Sequence, residues 1–248
     1  MRTAIISAMH EELSAVLALM PDEHKQVVAG REFWLGHLHG NDVVVVLSRI
    51  GKVAAATTAT LAIERFKAQR IIFTGVAGGL APGVKVGDIV VARSFLHHDL
   101  DASPLFPKYE LPYYGLSRLP TDPALADALF LAASNVVRDP QRTLGAAACA
   151  QFHLAAPVVH QGLVISGDRF ISSTAESRDL QAALPEALAV EMEGAAIAQV
   201  CFDYGLPFGA VRTISDRADD LAHAHFPAFV REVASKYSSN LLERWSAS

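Results

Sequence analysis

The sequence predicts a single α/β domain over residues 1–248, with a central mixed, mostly parallel twisted sheet flanked by helices. Short apolar runs alternate with longer segments whose apolar residues recur every three or four positions, which is the pattern of strands joined by crossover helices. No repeat, low-complexity tract or linker interrupts this alternation. The 248 residues, 51% of them hydrophobic, are enough for one sizeable core.

The strand candidates are short apolar runs bounded by turn residues, as expected for strands buried on both faces of a parallel sheet. Residues 32–48 differ, because Gly40-Asn41-Asp42 between two apolar runs is typical of an antiparallel hairpin, and this hairpin makes the sheet mixed. We predict strands at residues 3–7, 32–38, 43–48, 70–74, 89–95, 157–166, 187–191 and 208–214.

The helix candidates each carry one apolar stripe, such as Leu125, Leu129 and Ala132. The stretch at 99–122 is instead irregular and rich in proline and aromatic residues. A loop of that length in a compact domain is usually functional or part of an interface. We predict helices at residues 11–19, 52–66, 123–134, 177–184, 194–204 and 226–245.

Charge and hydropathy exclude two classes of partner. The formal net charge is −5 and no block of five basic residues occurs, which argues against a nucleic-acid partner. No stretch approaches the roughly 20 apolar residues of a membrane helix. The N-terminal apolar run is too short for a signal peptide and is followed at once by acids. We expect a soluble cytoplasmic protein.

The sequence predicts no metal and no organic cofactor. Cys149 and Cys201 lie in apolar surroundings and are interpreted as buried, reduced thiols. No Cys-x-x-Cys or His-x-x-x-His spacing is present for zinc. The cluster His97-His98-Asp99 lacks a fourth ligand and is interpreted as a strand end or loop.

Acids and glycines follow four of the predicted strands. In open α/β sheets, ligands bind beyond the carboxyl ends of the strands, so these residues are candidates for a site. Carboxylates gathered in a partly apolar cleft repel one another and lose hydration, which separates their pKa values into acid and base roles. The residues concerned are Glu12, the glycine-rich segment 75–79, the pair Glu191 and Glu193, and Asp216.

Each of these features also has an ordinary structural interpretation. Glu12 suits the first turn of a helix, where acids are favoured. Glu191 and Glu193 are two residues apart, so one must point away from the other, although their apolar neighbours favour burial over solvation. Asp216 could cap a helix or turn. Segment 75–79 could be a tight turn, and it is neither a dinucleotide fingerprint nor a P-loop.

Seven motifs in order resemble those of the methylthioadenosine/S-adenosylhomocysteine nucleosidases, which belong to the nucleoside phosphorylase superfamily. The resemblance covers nearly the full chain and is weakest at residues 99–151. Seven ordered motifs are far more specific than any one of them. They are 5–12 (IISAMHEE), 48–53 (SRIGKV), 74–80 (TGVAGGL), 86–90 (VGDIV), 166–171 (SGDRFI), 190–193 (VEME) and 212–216 (RTISD).

The resemblance implies a nucleoside phosphorylase-like fold and an enzyme of methionine salvage that works as a cytoplasmic homodimer without a cofactor. Its implied reaction is hydrolysis of the N-glycosidic bond of 5′-methylthioadenosine and S-adenosylhomocysteine, which releases adenine and the thioribose product. Asp216 would protonate N7 of adenine, and Glu12 would deprotonate the attacking water. The other implied substrate-binding residues are Glu193, Met192, Arg212, Phe170, Ile171, Met9, Ile50, Gly78, Glu191, Ser215 and Phe226.

The same resemblance assigns finer roles within the site. Glu193 would accept hydrogen bonds from the ribose hydroxyls, and Phe170 would stack on adenine. The backbone of Ile171 would read the edge of the base. The apolar stretch 104–107 (PLFP) is a candidate wall for the 5′-thioalkyl group, since in family dimers the equivalent loop comes from the neighbouring subunit.

Two departures from the family pattern keep other functions open. Val76 stands where many relatives have a serine that helps hold the water. Arg49 replaces a common glycine, and a cation there could approach the ribose or water site and favour phosphorolysis. The alternatives are a purine nucleoside phosphorylase or a hydrolase of a related nucleoside such as aminofutalosine, and, in another class, a non-catalytic nucleoside-binding protein. Against phosphorolysis, the N-terminus lacks a Gly-Asp-Pro-x-Arg phosphate cradle.

Overall fold

The computed structural model describes residues 1–218 and 226–247. All predicted strands and helices are present, the strands at 3–7 and 187–191 with the predicted bounds and the other elements with shifted ends. The strands are β1 (Thr3–Ser7), β2 (His24–Val28), β3 (Arg31–Leu38), β4 (Asn41–Leu47), β5 (Arg70–Gly79), β6 (Ile89–His97), β7 (Leu119–Pro120), β8 (Val159–Ser166), β9 (Ala187–Glu191) and β10 (Phe208–Asp216).

The helices lie between these strands and after the last of them. The C-terminal helical region contains a π-helical segment, Val230–Ala234, between two α-helical parts. The α-helices are α1 (His10–Leu17), α2 (Lys52–Glu64), α3 (Pro123–Val137), α4 (Pro140–Leu144), α5 (Ala146–Gln151), α6 (Thr174–Ala183), α7 (Gly194–Asp203), α8 (Phe226–Phe229) and α9 (Ser235–Ser246).

The strands form one mixed sheet, as predicted, and part of it closes on itself. Strand order is β10-β6-β8-β9-β5-β1-β4-β3-β2, and β10 also pairs with β5. The strands β5, β10, β6, β8 and β9 therefore form a ring, from which β1, β4, β3 and β2 extend as an open sheet. The antiparallel pairings are the predicted hairpin of β3 and β4, its extension to β2, and short contacts of two or three residues within the ring and to β7.

Helices cover both faces of the sheet, which explains why the strands are continuous apolar runs. Ile6 and Phe73 face one layer, which contains α2 and α7. Their neighbours Ile5 and Ile72 face the other, which contains α1, α3 and α9. Because each buried aliphatic or aromatic side chain contributes about 1.5–3 kcal/mol, these two layers hold the strand ends in fixed positions.

Four elements were not predicted, and each has a weak pattern. Strand β2 (HKQVV) is largely exposed at the outer edge of the sheet, and β7 has only two residues. Helices α4 and α5 are short. Asp139 does cap α4, accepting the Arg142 N–H at 3.0 Å ahead of Pro140, which is a readable start signal.

Two further results concern the described residues as a set. No helix among them combines the length and the apolarity needed to cross a membrane. In the same part of the chain, no three histidine, cysteine or acidic side chains converge as a metal site would require. Both cysteines are buried and unpaired.

Candidate active site

One cavity lies where the carboxyl ends of β1, β5, β9 and β10 meet, as the strand-end argument predicts. Its volume is about 170 Å³, and its walls are largely apolar. The residues that line it are Ala8, Met9, Ile50, Val76, Ala77, Gly78, Arg169, Phe170, Ile171, Val190, Glu191, Met192, Glu193, Ser215, Asp216 and Phe226.

The glycine-rich segment is part of strand β5, so the prediction that the strand stops at residue 74 and a turn follows is wrong. Glycine is needed there because other groups approach the backbone closely. A Cβ atom on Gly75 would lie 3.2 Å from the Arg212 guanidinium, and one on Gly78 would lie 3.0 Å from Asp216 Oδ1. The glycines therefore bring two site side chains against the strand.

Asp216 faces the cavity from a bulge in β10. Ile214 pairs with Ala77 and Asp216 with Gly78, so Ser215 is the extra residue, and such a bulge redirects the side chain that follows it. Asp216 Oδ1 accepts the Ala218 N–H at 2.7 Å, and Oδ2 accepts the Ser215 hydroxyl at 2.6 Å. The carboxylate thus has a fixed orientation at the cavity wall.

Glu191 ends strand β9 and is held by donors on both oxygens. It accepts the backbone N–H groups of Glu193 at 3.1 Å and of Gly194 at 2.9 and 3.0 Å, the Ser166 hydroxyl, and Arg212 Nη2 at 2.8 Å. This carboxylate lines the cavity, but its hydrogen bonds are largely used within the protein. We interpret it as the anchor of the β9–α7 connection.

Arg212 lies behind the cavity and does not line it. Its side chain is 1% exposed, and its guanidinium carbon is 3.7 Å from the centre of the Phe73 ring. Besides the ion pair with Glu191, its Nη1 donates to the Val211 carbonyl at 3.0 Å. Burial raises the pKa of two nearby carboxyls, Glu12 and Glu193, and the charge of Arg212 partly offsets this rise.

Glu193 lines the cavity beside Glu191, with a different donor. Its Oε1 accepts the Gly51 N–H at 2.8 Å. Burial and then the charge of Glu191 raise the pKa of Glu193 to about 7, although the Gly51 bond and Arg212 lower it. Both acids are buried, which confirms burial over solvation for this pair. Glu193 is a strong acceptor poised between its two protonation states.

The N-terminus of α2 is held by a second carboxylate, Asp168. Its Oδ1 accepts the Lys52 N–H at 2.8 Å, while Lys52 Nζ lies 2.6 Å from Asp99 Oδ1. Asp99 Oδ2 in turn accepts the Asp168 N–H at 2.9 Å. The sequence did not single out this function, although acids are favoured at helix N-termini. These contacts fix the segment that donates to Glu193.

Glu12 is fully buried behind the cavity wall formed by Ala8 and Met9. Its Oε2 accepts the Met9 N–H at 3.2 Å, so it does cap α1, and its Oε1 accepts the Ser238 hydroxyl at 3.1 Å. Burial raises the pKa of Glu12 to about 7, while Arg212, Ser238 and Met9 oppose the shift.

Eleven of the thirteen predicted site residues line the cavity, the two others being Glu12 and Arg212. Phe170 is 44% exposed at the mouth, and Ile171 is buried below it. Met192 and Phe226 lie on other parts of the wall. Ser238 was missed, because nothing in a sequence links a helix near residue 238 to an acid 226 positions earlier.

The prediction that Arg49 could approach the ribose or water site is wrong. Its guanidinium donates to the Gly30 carbonyl in the β2–β3 turn, and Arg49 is absent from the cavity wall. Its φ of +63° lies in the left-handed region, where glycine is favoured. The stretch 104–107 is also absent from the cavity of the single chain, and Leu105 is 84% exposed.

Taken together, the site offers three carboxyl groups on the wall of one apolar cavity, Asp216, Glu191 and Glu193, and a fourth, Glu12, behind that wall. Acids with pKa values near 7 are suited to proton transfer at neutral pH. Apolar and aromatic walls are suited to a planar ring. The arrangement can bind an uncharged aromatic ligand with hydroxyl groups and exchange protons with it.

Comparison with known proteins identifies the family of this chain. A statistical model of the family "Phosphorylase superfamily" matches residues 2–244. The chain is 33% identical to a 5′-methylthioadenosine/S-adenosylhomocysteine nucleosidase from Neisseria meningitidis in complex with methylthio-immucillin-A, with a TM-score of 0.85 and coverage of 100% of this chain and 99% of that one.

Two further solved structures are similar over almost their full lengths. An S-adenosylhomocysteine nucleosidase from Streptococcus pyogenes, in complex with 5-methylthiotubericidin, is 33% identical, with a TM-score of 0.84 and coverage of 99% and 95%. A futalosine hydrolase from Helicobacter pylori is 30% identical, with a TM-score of 0.82 and coverage of 98% and 96%. The family match and these similarities show that the chain belongs to the phosphorylase superfamily.

Proposed function

We propose that this protein hydrolyses the N-glycosidic bond of 5′-methylthioadenosine and S-adenosylhomocysteine, releasing adenine and the 5-thioribose product. The observation that carries the proposal is the placement of Asp216 and Glu193 on one apolar cavity, with Glu12 directly behind its wall. The nucleosidases that the chain resembles supply the substrate class.

In the proposed mechanism, Asp216 acts on the base. Adenine is a poor leaving group as an anion, so the carboxyl of Asp216 transfers a proton to N7 as the bond between C1′ and N9 breaks. The electron pair of that bond stays with the purine. Positioned proton transfer of this kind contributes about 10²–10⁴-fold. Phe170, Ile171 and Phe226 line the cavity. In this mechanism the two phenylalanines stack on the ring, and the backbone of Ile171 reads its edge.

Glu12 and Glu193 act on the sugar side. The ribose develops oxocarbenium character, which nearby carboxylates stabilise. Glu193 accepts hydrogen bonds from the ribose hydroxyls, and Met192 packs against the sugar. Glu12 takes a proton from the attacking water, whose oxygen forms the new bond to C1′. A base with a pKa of about 7 is well matched to this step.

Hydrolysis is favoured over phosphorolysis by the charges around the sugar. Glu191 and Glu193 line the cavity with Glu12 behind its wall, and the positive charge of Arg212 is paired with Glu191. Arg169, at the cavity wall, is paired with Glu176, and Arg49 contacts the β2–β3 turn. Phosphate would be repelled here, whereas water is not. The 5′-thioalkyl group would lie toward the rim at Ile50.

The experiment is incubation with 5′-methylthioadenosine, with and without phosphate, followed by chromatographic measurement of adenine. We expect equal release under both conditions. Release that strictly requires phosphate and yields a ribose 1-phosphate analogue would contradict hydrolysis. Tight binding with no adenine over hours would identify a nucleoside-binding protein instead, an alternative that Val76 in the cavity wall keeps open.

A second candidate is hydrolysis of a futalosine-type nucleoside, because a futalosine hydrolase is among the similar structures. The two reactions share the ribose chemistry and differ in the 5′-substituent. We expect kcat/KM for 5′-methylthioadenosine to exceed that for aminofutalosine, since the cavity walls are largely apolar. The opposite order would assign the second function.

We also propose that the protein is a cytoplasmic homodimer that acts in methionine salvage. Apolar side chains are exposed together on α2 and on the loop before β7: Val53 is 79% exposed and Tyr113 94%. Lys52 and Asp99 join these two elements, which makes one continuous face. A partner covering it would bring its own Leu105 close to the open rim at Ile50. Unpaired buried thiols are in keeping with a reducing compartment.

A further inference from the structure

Ser238, in helix α9, contacts the carboxylate of Glu12, and neither residue lines the cavity. Its hydroxyl is buried and donates to Oε1 at 3.1 Å, while the Met9 N–H donates to Oε2 at 3.2 Å. Each oxygen of Glu12 therefore has one protein donor. An ionised carboxylate only accepts hydrogen bonds, so both contacts favour the ionised form.

The π-helical segment Val230–Ala234 sets the direction of Ser238. Phe226, before this segment, lines the cavity, and Ser238 follows it by twelve residues. In a regular α-helix of 3.6 residues per turn, the two side chains would point about 120° apart. A π-helical turn takes up about one extra residue, which reduces this angle to about 20°. The irregular turn thus directs both side chains toward the site.

We propose that Ser238 is a positioning residue, which fixes the rotation of the Glu12 carboxylate and keeps it ionised for the attack of water. The proposal rests on the proposed function, in which Glu12 is the base. Ser238 does not line the cavity, so its effect passes through Glu12.

The surroundings of Glu12 explain why one hydroxyl matters. Burial, the largest influence, raises the pKa of Glu12, and the charge of Glu11 on the same helix adds to this. Arg212, from β10, lowers the pKa, as do the Ser238 hydroxyl and the Met9 amide. With these influences the pKa is about 7, so half of the base is ionised near neutral pH. Loss of the hydroxyl reduces that fraction.

The test compares Ser238→Ala with Ser235→Ala, a matched control in the same helix. Ser235 is also buried, but its hydroxyl donates to the Arg231 carbonyl at 2.7 Å. We expect Ser238→Ala to raise the apparent pKa of the acid limb in the pH profile of kcat/KM by about one unit, because a hydrogen bond to a charged group is lost. The loss is then about tenfold at pH 6 and small at pH 9.

Two further variants separate the effect of losing the hydroxyl donor from the effect of losing side-chain volume. Ser238→Thr keeps the donor and is expected to retain the wild-type profile, as is Ser235→Ala. Ser238→Cys keeps most of the volume with a weak donor, so it must shift the limb even if Ser238→Ala does not fold. A limb that stays in place in Ser238→Ala, or in Ser238→Cys where the alanine variant is unfolded, overturns the proposal.

A second measurement does not depend on turnover. The ¹³C carboxyl resonance of Glu12, assigned with the Glu12→Gln variant, gives its titration midpoint directly. We expect this midpoint to be about one unit higher in Ser238→Ala than in the wild type and unchanged in Ser235→Ala. An equal midpoint in all three overturns the proposal. If the wild type releases no adenine, the proposed function fails, while this titration still decides whether Ser238 acts on Glu12.

Discussion

Asp216 faces the cavity with one oxygen on the Ser215 hydroxyl and the other on the Ala218 amide. Asparagine keeps the shape of this side chain but cannot transfer a carboxyl proton to N7. We expect Asp216→Asn to reduce adenine release by about 10²–10⁴-fold, while calorimetry shows 5′-methylthioadenosine still bound. Asp179→Asn, an exposed acid on α6, is the control. Wild-type turnover by Asp216→Asn would place the acid elsewhere.

Glu12 also links catalysis to stability. Its pKa in the folded protein, about 7, exceeds the ordinary value of 4.5, so the folded state holds this proton more tightly than the unfolded chain. The free energy of unfolding therefore falls as pH rises from about 4.5 to 7. We expect Glu12→Gln to gain stability relative to the wild type between pH 5 and pH 8, by roughly 2–3 kcal/mol at most. Urea unfolding of both proteins at pH 5 and at pH 8 tests this. A difference in unfolding free energy that does not change with pH contradicts it.

For individual residues, the sequence predicted which acids would lie close together, but not which hydrogen bonds each of them makes. Asp216, Glu191 and Glu193 were found because strand ends share an edge. That Glu191 is occupied by Arg212 and by backbone amides depends on distances that no spacing encodes. The direction of Arg49 follows from its left-handed backbone, which the sequence does not reveal.

Among the elements, α2 has its N-terminus held by one carboxylate and donates to another. Asp168 accepts the Lys52 amide, next to the Gly51 amide that contacts Glu193. We expect Asp168→Ala to lower the free energy of unfolding by about 1 kcal/mol and to raise KM for 5′-methylthioadenosine by about fivefold.

Asp122→Ala is the matched control for this prediction. Asp122 caps α3 by accepting the Leu125 N–H at 2.8 Å, away from the cavity wall. We expect a similar loss of stability in thermal or urea unfolding, with KM unchanged. If both variants raise KM equally, α2 has no special part in placing Glu193.

Periodicity predicted the longer elements well, since their apolar stripes are wide and regular. It failed where the composition or the helix type changes within one element. The glycines of β5 look like a turn until the groups packed against them are known. The π-helical segment has the same apolar residues as an α-helix, so the predicted helix at 226–245 is continuous where the structure is divided.

For the whole molecule, the exposed apolar face on α2 and the loop before β7 predicts self-association. We expect Val53→Asp and Leu105→Asp each to convert a dimer into a monomer in light scattering, since each would bury a charge in the contact. KM should also rise, because the rim loses its partner. Leu131→Asp, equally apolar and 64% exposed on α3, is the control. A wild-type protein that is monomeric at micromolar concentration contradicts the proposed dimer.

The closed ring of strands has a consequence for how the chain matures. Strand β10 pairs with β5 on one side and β6 on the other, and it is the last strand of the described residues. A chain still emerging from the ribosome, with residues after 207 not yet released, has two unpaired strand borders, which are sites of aggregation in folding intermediates. It also lacks Arg212 and Asp216. Closure of the ring and acquisition of the acid therefore depend on the same strand.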